Sequence, residues 1–154
     1  MRRSSRAALS LVVLALASAC DDAPKATTRA DPRDPAKVAL GAKVYAQHCA
    51  ACHGAQLEGQ PNWRQKLPNG RMPAPPHNEE GHTWHHTDEL LFGITKYGVT
   101  PNYAPPGYES DMPAFGGKLS DDEIWAVLSF IASHWTNKEL LDARAEMIRN
   151  ASRR

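Results

Sequence analysis

The stretch from Gly54 to Gly117 holds nine of the chain's 12 prolines and nine of its 10 glycines. Proline fixes φ and removes a backbone donor, and glycine loses the most entropy on ordering. Much of the chain, and of this stretch above all, is therefore loop. Thirty-odd residues from Gly54 to His86 offer no strong helix or strand pattern, long for a loop in a compact domain. Such a stretch needs an apolar body to pack against, and the chain has few means of stapling it. Its three cysteines are Cys20, Cys49 and Cys52, which excludes a multi-disulfide scaffold and a four-thiolate zinc or iron–sulfur site within one chain.

Two of those cysteines form Cys49-Ala50-Ala51-Cys52-His53. Residues at i and i+3 neighbour one another on a helical turn, so each thiol can add to one of the two vinyl groups of a porphyrin. The next residue, His53, is then brought to the iron as proximal ligand. C-x-x-C-H thus reads as the attachment site of one covalent haem c. A buried porphyrin would also supply the apolar surface that the long loops need. The competing readings are a simple disulfide and a redox-active dithiol, but no βαβ pattern surrounds the motif.

The flanks of the motif resemble the class I cytochrome c family. Gly41, Tyr45 and Cys49 recur every four residues and so share one helix face. Asp111-Met112-Pro113-Ala114-Phe115 resembles the family's methionine loop, and Leu119 to Ile124 resembles the start of its last helix. These features span about residues 36–135. The resemblance implies an all-α fold of three to four helices and long loops around one haem. It implies His53 and Met112 as axial ligands, Phe130 as the aromatic facing Gly41 and Tyr45, and a proline carbonyl bonded to the other nitrogen of His53. Pro61 is the candidate for that carbonyl. A second Met-Pro pair, Met72-Pro73, is the rival to Met112, and a histidine is the other.

Ser120 and Glu123 make a capping box ahead of an apolar face formed by Ile124, Val127, Leu128 and Ile131. Thr87 is expected to cap a helix reaching Tyr97, with Leu90, Leu91, Ile94 and Tyr97 on its apolar side. Arg71 is a candidate partner for a haem propionate. His77, His82, His85 and His86 crowd into ten residues. They are candidate ligands of a copper or zinc ion, or loop residues packed near the haem, with Trp84 at its rim.

The N-terminus reads as an address. Arg2, Arg3 and Arg6 precede the uncharged stretch Ala7 to Ala19, the length of a signal-peptide core and too short to span a bilayer comfortably. Small residues directly before Cys20 resemble a bacterial lipoprotein cleavage site, and Asp21 after it resembles an inner-membrane retention signal. The expected organisation is a signal peptide over 1–19 and a lipidated, polar tether over 20–35. A cytochrome domain over 36–136 and a basic helical tail over 137–154 complete it. This places the protein in the periplasm, anchored by lipid to the inner membrane of a Gram-negative bacterium.

Lys and Arg total 18 against 17 Asp and Glu, which argues against nucleic acid as a partner. With both axial positions filled, the expected function is one-electron transfer between redox proteins such as a reductase, an oxidase or a dehydrogenase. The alternatives are a haem enzyme or gas binder with a labile sixth site, and a copper-handling protein using the histidine stretch.

Overall fold

The computed structural model describes residues 29–151 and 153. The signal-peptide and Cys20 expectations, with most of the tether, lie outside them. Helix α1 (Pro35–His48) starts at Asp34, whose carboxylate accepts from the backbone N–H of Ala36 and Lys37, with proline placed where its missing N–H costs nothing. A short helix α2 (Ala50–His53) follows at once. A 3₁₀ turn covers Thr83–His85. Helix α3 (Asp88–Tyr97) is capped by Thr87, which accepts from Leu90 N–H. Helix α4 (Asp121–Ala132) opens on the capping box of Ser120 and Glu123. Helix α5 is Lys138–Ala151. Among the described residues there is no strand; Met72 and Ser110 make one isolated parallel backbone bridge.

The core is built where α1 crosses α4. Val44 and Tyr45 of α1 meet Ile124, Val127, Leu128 and Ile131, all nearly or fully buried. Gly41 is the reason the helices come so close: a methyl group there would overlap the Ala126 carbonyl and the Phe130 side chain. Tyr45 then packs on Phe130 with ring centroids 5.3 Å apart. From α3, Phe92 stacks on Trp125 at 4.3 Å. Leu91 and Phe92 face this core. Tyr97, expected on the same apolar side, is instead 52% exposed and stacks on Tyr103. It is the last residue of the helix, where Gly98 turns the chain away.

The loops are closed by specific pairings rather than by regular structure. Gly59 has φ of +68°, and a Cβ there would strike the Pro75–Pro76 backbone. Gln60 N–H donates to the Ala74 carbonyl, and Ala74 N–H donates back to Gln60 Oε1, both at 2.9 Å. Leu57 carbonyl accepts from His77 and Asn78 N–H. Trp135, just past α4, donates from its indole to the His77 carbonyl at 2.9 Å.

The C-terminal helix docks on the domain. Leu140 and Arg144 are its buried residues. Arg144 donates to the carbonyls of Trp84 and His86 and pairs with Asp88, while Glu79 accepts from Thr136 and Asn137 N–H at the entrance to α5. Breaking a buried pair from one side leaves the other charge without compensation. Arg144→Ala is therefore expected to lower unfolding stability by about 3 kcal/mol, read as a lower urea midpoint. A surface-like loss of a few tenths would mean that α5 is not held through this residue.

Candidate haem-attachment site

Cys49 ends α1 and begins α2, so one residue serves both helices. Cys52 and His53 both donate N–H to its carbonyl, at 3.1 and 2.9 Å, which winds the motif into a single turn. Both thiols are free, with Cys49 half-buried and Cys52 exposed. Burial, and then the neighbouring Cys52, push the Cys49 thiol up to about 11.

His53 is buried, and its Nδ1 is 2.8 Å from the Pro75 carbonyl oxygen. Burial lowers its pKa, opposed in part by the Pro75 bond. A neutral ring that donates from Nδ1 presents an unprotonated Nε2, the atom a metal would use, and the carbonyl fixes the ring's orientation. The Tyr45 hydroxyl anchors the same turn by donating to the carbonyls of Gly54 (2.9 Å) and His53 (3.3 Å). Burial raises the Tyr45 pKa, so the phenol stays a neutral donor.

The carbonyl at His53 is thus that of Pro75, not Pro61 as expected from the sequence. Pro61 lies in an exposed turn, beyond the point where Gly59 and Gln60 fold against Ala74–Pro76. The pairing brings the later proline cluster to the ring. Proximity in sequence favoured Pro61; the only sequence hint of the true partner was the density of prolines at 73, 75 and 76.

Met112 is half-buried against the core, in a loop fastened on both sides. Upstream, Met72 N–H donates to the Glu109 carbonyl at 2.8 Å, and Arg71 donates to the Ser110 carbonyl at 2.8 Å and to Asp111 at 2.6 Å. Downstream, Phe115 and Gly116 donate to the carbonyls of Thr95 and Lys96 in α3. Arg71, expected at a propionate, is here committed to the methionine loop. Met72 joins that loop through its backbone.

The four sequence histidines separate. His77 stacks on His53, with centroids 4.0 Å apart and planes 19° from parallel, and its Nδ1 pairs with Thr83 Oγ1 at 2.8 Å. A ring lying face to face with His53 is not placed as a ligand opposite it would be. His77 also stands apart from the other three: His82, His85 and His86 alone converge, against the expectation of a four-histidine set. The physical reason is that Thr83 Oγ1 and the His53 ring hold His77, whereas His82 stacks on Trp63 and meets His85 and His86.

The donor set fits a c-type haem. It offers two free thiols on one turn, an imidazole with Nδ1 committed and Nε2 open, and a thioether in a fastened loop. The family model for cytochrome c matches residues 38–135. Among curated proteins, the chain is 30% identical over 98 residues to a thiosulfate dehydrogenase of Stutzerimonas stutzeri (strain A1501), covering 63% of this chain and 27% of that protein. It is 29% identical over 100 residues to a gluconate 2-dehydrogenase cytochrome c subunit of Pantoea cypripedii, covering 63% of this chain and 20% of that one. The match therefore spans about a quarter or less of each relative's length. No solved structure matches.

Proposed function

The chain belongs to the cytochrome c family, and from that premise we propose that it is a one-electron carrier serving a dehydrogenase. Membership makes covalent haem c its cofactor and haem-based electron transfer its activity. When bound, the haem supplies a metal that changes by one charge between ferrous and ferric states. The protein's task is to hold, orient and shield it. In this reading Cys49 and Cys52 form the thioethers, His53 is the proximal ligand and Met112 the sixth. The observation that carries it is the Nδ1 bond from His53 to Pro75, which leaves Nε2 open beside two free thiols. A fastened Met112 loop favours a closed sixth position and hence a carrier over a catalyst. Optical spectra of the purified protein test this. Low-spin bands in both oxidation states, unaltered by carbon monoxide on the reduced form, are expected. A high-spin spectrum or rapid carbon monoxide binding would make a gas-binding or catalytic haem protein the better reading.

A dehydrogenase is the proposed electron donor because the two relatives are named as a dehydrogenase and a dehydrogenase subunit. Contact would be brief and through a modest area, as suits a carrier. The sequence before Arg29 supports export, cleavage before Cys20 and a lipid anchor at the inner membrane, with 20–35 as tether, 36–136 as the carrier and 137–154 as its tail. Cys20→Ser is expected to move the protein from the membrane fraction to the soluble periplasm. Unchanged membrane retention would overturn the anchor.

A further inference from the structure

The histidines that the haem site does not use are arranged for a second metal. His82 and His86 flank the 3₁₀ turn Thr83–His85 at its two ends and His85 lies within it, so one short turn brings the three rings together. Ring centroids are 5.4 Å apart for His82 and His85, 5.1 Å for His82 and His86, and 4.5 Å for His85 and His86. A ring nitrogen of each lies within 4.8 Å of one on both others. Ligands bound about 2.1 Å from a tetrahedral ion stand roughly 3.4 Å apart, so small side-chain rotations close the set.

A second observation is independent of that convergence. Nδ1 of His82 is buried and has no hydrogen-bond partner. Buried polar atoms are almost always satisfied, and leaving one unpaired carries a free-energy cost. A ligand at this atom would remove that cost.

The surroundings hold the turn still. Trp63 stacks on His82 at 5.2 Å, 18° from parallel. Trp84 donates its indole N–H to the Gly81 carbonyl. Arg144 of α5 grips the carbonyls of Trp84 and His86. No carboxylate belongs to the cluster, and three imidazoles suit zinc or copper rather than calcium or magnesium.

We propose that His82, His85 and His86 bind one zinc or copper ion, with a fourth position open to water or to a ligand from another protein. The set shares no residue with the haem ligands, so the proposal stands or falls apart from the electron-carrier reading.

The test uses full-length, tag-free protein carrying its haem and freed of adventitious metal with a chelator. It is dialysed to equilibrium against zinc chloride and, separately, copper(II) chloride, and bound metal is counted against haem iron. One ion per haem, half-saturated at micromolar metal or below, is expected in at least one arm, and the arm that binds identifies the ion. His85 is exposed, so His85→Ala leaves the fold intact, which the haem spectrum checks. It is expected to weaken binding by about 100-fold or more, since even outer-shell losses reach that size. His134→Ala, outside the cluster, should bind as before. Uptake well below one ion per haem in both arms would overturn the proposal. So would full uptake by a variant lacking all three histidines, since the ion would then sit elsewhere.

Discussion

Cys49→Ala or Cys52→Ala is expected to cut covalent haem by about tenfold or more, beyond the loss caused by removing a mere supporting group at a metal site. Haem stain on a denaturing gel is the readout, because denaturation releases any haem not held by thioethers. The two thiols are not equivalent. Cys49 is half-buried at the junction of α1 and α2, and Cys52 is exposed on the next turn. Cys49→Ala also removes a side chain packed on the core, so it should lower the yield of folded protein as well as the stain. Cys52→Ala removes little packing, and its loss of stain reports attachment alone. Full stain in Cys52→Ala would contradict the assignment of that residue, whatever Cys49→Ala does.

What could be read from the sequence was local, and what could not was long-range. The caps Thr87 and Ser120 act on backbone groups three residues away, so α3 and α4 begin where the sequence says. Gly41 and Tyr45 carry a helical spacing that already implies a close partner, and α4 provides it. The carbonyl at His53 was not legible, because its identity depends on Gly59 meeting Pro76 and on Gln60 pairing with Ala74 across the loop. Arg71 likewise finds Asp111 forty residues on, a pairing that no spacing encodes. The histidines show both limits at once. Their density was visible, and so was the i, i+3 relation of His82 to His85. The assignment of His77 to His53 and Thr83 rather than to that cluster is a consequence of packing. The docking of α5 also needed the structure: a helix with Leu140 and Arg144 on one side could have met a partner as well as this domain.

Met112→Ala is expected to lower the reduction potential by roughly 0.1–0.3 V, a fraction of the approximately 0.8 V that axial ligands control, and to admit carbon monoxide to the reduced protein. A thioether sixth ligand favours the reduced state, so its loss shifts the balance toward the oxidised one. Met72→Ala is the discriminating control. Met72 holds the loop through its backbone N–H on the Glu109 carbonyl, a bond that alanine makes equally well. Its replacement should leave potential and gas binding near the parent values. Arg71→Ala removes both side-chain bonds to Ser110 and Asp111 while leaving both methionines in place. It should fall between the two, with carbon monoxide entering faster than in the parent and a smaller change in potential than in Met112→Ala. Equal effects of Met112→Ala and Met72→Ala would assign no unique sixth ligand. A large effect of Met72→Ala alone would reverse the assignment, and the fastening of the 109–112 loop would then serve to hold Met72 through the same bridge.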